Sequence, residues 1–427
     1  MSAATNRRGF LLAGGALAAT GLGTPAQAAM GPNDKFDLLV RNANVLDPSQ
    51  KLSGKRDIGI RYGVIEAMES GIAPERANRV LDAAGKLVTP GLIDLHAHTY
   101  PYGSSIGIPA DELVAHQCTT TVVSAGDAGA SAFALVRRAM AAQSRTRLYA
   151  FVHIANIGLS AFPVAELFNI NFAQTDAAAR TLAENADIAI GIKVRMSQNV
   201  IARHGLEPLQ RALRACEIAG TGGKVMCHIG GVESVELMSQ ILDALRPGDI
   251  LTHCFSGAPN DAGQFTNIVQ GGKLLPAAHA AKKRGVMFDI GHGGGSFDFT
   301  VAEASMAEGV PPDTLSSDIH VYSGNSPGLP YVTNVMGKFM ALGLTLEQVV
   351  TMATATPGRI INRLPKHGTL QVGAPGDVTV LDVVNGPVEF VDTRSNKRQG
   401  KAFLKPVNTV IGGIAYGQPY AAPFSAR

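Results

Sequence analysis

The chain has 427 residues, 17% of them charged, and a formal net charge of +3. So small an excess creates no field that favours nucleic acid or anionic lipid, and no apolar run beyond the N-terminal region is long enough to span a bilayer. The length exceeds what one hydrophobic core fills, so a large domain joined to a smaller one is expected.

Residues 1–28 read as an export signal. Asn6-Arg7-Arg8-Gly9-Phe10-Leu11 precedes a Gly- and Ala-rich apolar run that ends at Ala26-Gln27-Ala28. Paired arginines before such a run point to the twin-arginine export machinery and to a periplasmic or secreted protein, with cleavage near Ala28. That route carries folded cargo, which suits a protein that loads a metal in the cytoplasm. Loss of Arg7 and Arg8 lowers the net charge from +3 to +1.

Residues 29–88 form a first small β unit, with short strands at Phe36 to Val40, Asp57 to Arg61, Val64 to Met68 and Arg79 to Asp82. Residues 89–364 change texture. Apolar strand-like runs alternate there with Ala-rich helical stretches such as Ser131 to Gln143 and Glu207 to Ala219, the pattern of parallel βα repeats. The strand candidates are Leu92 to His98, Thr119 to Gly126, Arg147 to Ala155, Ile188 to Met196, Lys224 to Gly230, Asp249 to Gly257, Val286 to Gly293 and Thr314 to His320. Eight such units predict an α/β chain built on a (β/α)8 TIM-like barrel. No GxGxxG follows the first strand, which argues against a dinucleotide fold. Residues 365–427 return to β texture and are expected to complete a β-sandwich with residues 29–88, since neither piece is large enough alone. Cys118, Cys216, Cys227 and Cys254 lack CxxC spacing and sit in apolar segments, which predicts buried free thiols.

The strand ends carry the chemistry. The first candidate strand ends in His96-Ala97-His98, and alternation points both imidazoles the same way, into the barrel at its C-terminal mouth. An isolated HxH is as often packing as ligation. Lys193 lies near the end of the apolar strand Ile188 to Met196. A buried ammonium is costly, so this lysine is paired, neutral or modified; a neutral amine can add carbon dioxide and bridge cations as a carbamate. A snorkelling lysine, or one that binds a substrate phosphate or carboxylate, fits the sequence equally. His228, His253 and Asp318 end three further strands. Barrel enzymes build their sites at these ends, and six metal-capable groups share this mouth.

The strings PGLIDLHAH, GIKVR, THCFSG and SSDIH resemble the amidohydrolase superfamily over nearly the whole chain after the signal. The resemblance implies a metal-dependent hydrolase that holds two divalent metal ions, with zinc the default for nitrogen and oxygen ligands. By that likeness His96 and His98 bind the more buried ion and His228 and His253 the more exposed one. A carbon dioxide-derived carbamate on Lys193 bridges them, and Asp318 touches the buried ion. Such a pair of cations activates a bridging water, while Asp318 serves as catalytic acid and base.

Within the superfamily, dihydroorotases usually carry an arginine two residues after the second histidine, where this chain has Tyr100. A tyrosine cannot form the bidentate clamp on a carboxylate. The run Phe288 to Phe297, with GIKVRMS and SSDIH, instead resembles a bacterial deacetylase-like branch, some of whose members resemble esterases of acetylated α-hydroxy acids. Expected substrate-binding residues are His292, Arg195, Tyr100 and His320, with Tyr322 a weaker candidate. Arg195 paired with a carboxylate such as Asp94, and His153 as a packed core residue, are equally open. The expected reaction is hydrolysis of an acyl amide or ester on a small carboxylate-bearing molecule. Opening of a cyclic amide or lactone is the alternative, and a non-catalytic relative on the same fold the third. A homo-oligomer is compatible with the sequence.

Overall fold

The computed structural model describes residues 30–31, 33–363 and 366–417, so the expected signal in residues 1–28 lies outside the described residues. Strands β1 (Leu38–Asp47), β2 (Leu52–Arg61), β3 (Val64–Glu69), β4 (Val80–Asp82) and β5 (Leu87–Pro90) come first. The barrel strands are β6 (Leu92–Ala97), β7 (Thr119–Ser124), β8 (Arg147–His153), β9 (Ala189–Arg195), β10 (Lys224–His228) and β11 (Ile250–Thr252). A small hairpin of β12 (Val269–Gln270) and β13 (Lys273–Leu274) precedes the last barrel strand to form a full ladder, β14 (Met287–Asp289). The chain closes with β15 (Val378–Val391), β16 (Lys397–Ile411) and β17 (Ile414–Ala415).

Strands β6 to β11 and β14 form one parallel sheet in sequence order. Residues 314–319 supply the eighth position. Thr314 bridges Asp289 of β14 on one side, and Ile319 bridges Ala97 of β6 on the other. Backbone bonds from Gly293 N to Ser317 O (2.8 Å) and from His98 N to Ile319 O (2.9 Å) join both flanks. The segment therefore closes the barrel, although two bridges are too few to make it a regular strand. Strands covered on both faces read as near-continuous apolar runs, and all six residues of both β6 and β7 are buried. Ile93, Leu95, Val123, Phe151, Met226 and Ile250 pack in one cluster with Ile360 and Ile361, filling the barrel beneath its mouth.

The two chain ends meet as expected, in the form of one continuous eight-stranded sheet ordered β17-β16-β15-β5-β1-β2-β3, with β4 beside β1. The join is β5, whose Leu87 to Pro90 pair antiparallel with Leu381 to Val378. Sequence reading ran this short strand into the barrel boundary. The β texture of residues 365–427 takes the form of one long β15–β16 hairpin with irregularities at Val380/Leu381 and Asn385/Val388. Gly386 and Pro406 obscured its continuity, since both residues ordinarily interrupt strands. The four cysteines are buried free thiols. Among the described residues no helix is long and apolar enough to cross a membrane.

Candidate metal centre

His96, His98 and Asp318 converge at the barrel mouth, with one ligand atom from each lying within 4.8 Å of the others. His96 sits in β6, whose pairing register shifts between Asp94 and Ala97, and His98 follows the strand's last residue. Asp318 Oδ1 is 3.2 Å from His96 Nε2 and 3.0 Å from His98 Nε2. Lys193, on β9, is buried with its Nζ 3.2 Å from His96 Nε2. His253 completes the cluster, its ring centroid 4.9 Å from that of His96 and 4.2 Å from that of His228.

Each histidine is oriented by a partner on its far nitrogen. His96 Nδ1 donates to Thr252 Oγ1 (2.7 Å), and that hydroxyl donates to the buried Asp289 (2.7 Å). His98 Nδ1 donates to Asp127 at 2.8 Å, and His253 Nδ1 to the Gly291 carbonyl at 2.6 Å. His228 is held through the other nitrogen, with Ser197 Oγ 3.1 Å from Nε2. These bonds leave Nε2 of three histidines, and Nδ1 of His228, for the site. Sequence reading missed Asp127, Ser197, Thr252 and Asp289. Asp127 stands one residue beyond the expected strand end at Gly126, a position that could have drawn attention to it.

Backbone conformation is strained where the ligands project. His253 and Asp318 adopt φ of 61° and 47°, in the left-handed region that side-chain-bearing residues rarely occupy. A Cβ on Gly293 would lie 2.4 Å from Asp318 Oδ2, and one on Gly126 would lie 2.4 Å from Lys193 Cβ. Only glycine fits at either place.

Electrostatics follow from burial and from this crowding. Burial draws the Lys193 amine down to about 8, with Arg195 adding to the effect and Asp318 opposing it. Burial, with His96 and Lys193 nearby, holds His253 at about 3 and therefore neutral. His98 goes the other way: Asp127 and Asp318 outweigh burial and raise it to about 9. Asp318 stays ionised, well below the usual carboxylate range, because the surrounding histidines outweigh burial. Nε2 of His253 and Oδ1 of Asp318 are buried without a hydrogen-bond partner. Buried acceptors of this kind are unfavourable unless something satisfies them, and imidazole nitrogens grouped with an ionised carboxylate are a donor set that fits a divalent metal.

A cavity of about 480 Å³ opens above the cluster, lined by His98, Lys193, His228 and Asp318 at its floor and by Arg195, Ile106, Leu159, Phe162, Gly294 to Ser296, His320, Tyr322 and Ser326 on its walls. Arg195 is held by the buried Glu166, with Nη1 to Oε2 at 3.1 Å, rather than by Asp94, which instead bonds Ser317 and Gln117. Arg195 and His153 outweigh burial and pull Glu166 down to about 2. His153 lies 3.2 Å from Glu166 Oε1 and does not line the cavity. His320 and Tyr322 are on the wall, where the Tyr322 amide donates to His320 Nδ1 at 3.2 Å.

Two expected substrate contacts are placed elsewhere. Tyr100 is buried with its hydroxyl directed to the Ala132 carbonyl, 3.3 Å away, because alternation lapses once β6 has ended. His292 follows Asp289, the last residue of β14, and turns into the protein. Its Nδ1 donates to Gly293 O (2.8 Å) and its Nε2 faces Lys338 Nζ (2.5 Å). Neither residue lines the cavity.

Comparison with known proteins agrees with this geometry. A family model described as a deacetylase-like composite domain matches residues 370–417. A deacetylase of Agrobacterium fabrum is 34% identical over 354 residues, which are 83% of this chain and 84% of that protein. A solved dihydroorotase superposes with a TM-score of 0.80 at 32% identity, over 91% of this chain and 100% of the other. An adenine deaminase does so at 0.80 and 28%, over 90% and 100%. The chain belongs to the deacetylase-like family of the amidohydrolase superfamily and is a metal-dependent amidohydrolase.

Proposed function

We propose that the protein is an exported hydrolase that removes an acyl group from an amide or ester of a small carboxylate-bearing molecule, using two divalent ions, by default zinc. The observation that carries the reading is the convergence of His96, His98 and Asp318, two of which, His98 and Asp318, form the floor of a cavity whose wall presents Arg195. His96, His98, His228, His253, Asp318 and a carbamate on Lys193 would hold the ions. Bound there, such ions polarise a carbonyl and make water acidic enough to supply hydroxide near neutral pH.

The remaining work falls to side chains. Asp318, ionised and at the floor of the cavity, accepts the proton of the attacking water and returns it to the departing nitrogen or oxygen. Arg195 gives Nη1 to Glu166 and keeps its other N–H groups for a substrate carboxylate, which fixes the scissile bond over the cluster. Ile106, Leu159 and Phe162 offer apolar surface to the rest of the substrate and help exclude water. The Lys193 amine, drawn down to about 8, has an appreciable neutral fraction with which to take up carbon dioxide.

A second reading, opening of a cyclic amide or lactone, is favoured by the likeness to the solved dihydroorotase. One panel of acyclic N- and O-acylated carboxylates against cyclic imides and lactones separates the two. Turnover confined to the acyclic compounds supports the proposal; turnover confined to the cyclic ones replaces it. Export is checked by fractionation: cytosolic protein with residues 1–28 intact would refute it.

A further inference from the structure

Part of the cavity wall is made by two irregular loops. One follows β14 and brings Gly294 to Ser296 to the cavity; the other follows residues 314–319 and brings Tyr322 and Ser326. A side chain from outside both loops joins them. Lys338, on the helix Val332–Ala341, is fully buried. Its Nζ donates to His292 Nε2 at 2.5 Å, at the root of the first loop, and to the carbonyl oxygen of Gly328 in the second. Burial, with Lys338 beside it, holds His292 well below the usual histidine range and so neutral; with Nδ1 donating to Gly293 O, its Nε2 lone pair faces the lysine. Phe297 closes the arrangement, its ring stacked 4.9 Å from His292 and 5.6 Å from Lys338 Nζ. Gly328 packs so closely that a Cβ there would come 3.0 Å from His292 Cε1. The turn between β15 and β16 holds the first loop from behind. Phe297 N donates to Thr393 Oγ1 at 3.2 Å, and Arg394 Nη2 donates to Gly295 O at 3.0 Å.

An apolar side chain would fill this position without the several kcal/mol that burial of an ammonium costs, so its two directed hydrogen bonds are the reason for a lysine here. Burial draws the amine down to about 7 against the opposing charge of Asp392, and both protonation states retain N–H donors for Gly328 and His292. We infer that Lys338 is a positioning residue that clips the loop after β14 to the loop after the eighth strand, and so sets the shape of one wall of the site. It does not line the cavity itself. The inference rests on the reading of this cavity as an acyl-hydrolysing site.

The test is Lys338→Met in the metal-loaded full chain, followed by hydrogen exchange and by steady-state kinetics on an acylated carboxylate. Exchange in the two loops should rise together by about tenfold or more while β1 to β3 are unchanged, and KM should rise about tenfold with a smaller change in kcat. His292→Leu should reproduce both effects, and His292→Gln, which keeps an acceptor for Lys338, should recover most of the native exchange. The double variant Lys338→Met/His292→Leu should be no worse than either single one. Native exchange in both loops of folded Lys338→Met overturns the clip, as does simple additivity. Should Lys338→Met fail to fold, the histidine pair decides: equal exchange in His292→Leu and His292→Gln overturns it. If the two loops loosen together yet the native protein hydrolyses no acylated carboxylate, the functional reading fails and the clip stands.

Discussion

At the floor of the cavity the candidate ligands leave strand ends already anchored, His96 through Thr252, His98 through Asp127, His253 through the Gly291 carbonyl and His228 through Ser197. Around the mouth the texture is different. Val164, Phe168 and Tyr322 are 70%, 66% and 64% exposed on loops, and Arg195, paired with Glu166, reaches the cavity. The difference teaches that reaction chemistry is built into the barrel, where geometry is over-determined, whereas substrate choice is left to segments that can change without unfolding it. If so, substitutions at the floor should be costly in kcat, those at the wall should act on KM, and those at the outer rim should do little.

The largest effect belongs to Asp318. Asp318→Asn should retain metal and lose about a thousandfold in kcat, measured beside metal content on the same preparation. Undiminished turnover would remove it as acid and base. Next is Asp127→Ala, which takes the oriented acceptor from His98 and should cost about 10–100-fold in metal affinity or activity, read by titration against a chelator. At the wall, Arg195→Met should raise KM for carboxylate-bearing substrates about tenfold to a hundredfold while kcat changes less. An equal change on an ester without a carboxylate would contradict its role as the anion grip.

Glu166 sharpens the comparison through pH. Its carboxyl is depressed to about 2 in the folded protein from an ordinary 4.5, so its contribution to stability is complete above pH 4.5 and is lost as pH falls toward 2. Thermal melts should show native protein losing more stability than Glu166→Gln between pH 5 and about 2.5, and parallel curves would show that the pair does not stabilise the fold. The smallest effect is expected at Phe168→Ser, within about 0.5 kcal/mol in stability, because so exposed a ring has little burial to lose.

The same division explains what could be read from residues alone. The barrel and the positions of His96, His98, Lys193, His228, His253 and Asp318 were legible because strand periodicity and strand ends determine which side chains reach the mouth. Tyr100 and His292 were misplaced because each lies three residues past the end of its strand, where alternation no longer constrains direction, whereas His98 and His253 lie only one residue past theirs. Lys338 was invisible for another reason. On a helical pattern it reads as a solvated cation, and only the packing of the helix Val332–Ala341 against two loops shows it buried. Glu166 sits in a loop far from Arg195 in sequence, and no local signal pairs them.

Metal stoichiometry of the native protein, measured together with Lys193→Ala, tests the central claim most directly. About two divalent ions per native chain are predicted, with loss of metal and turnover in Lys193→Ala and recovery of both when a short carboxylate is added with the metal. Full metal content and turnover in Lys193→Ala without any added carboxylate would contradict the account.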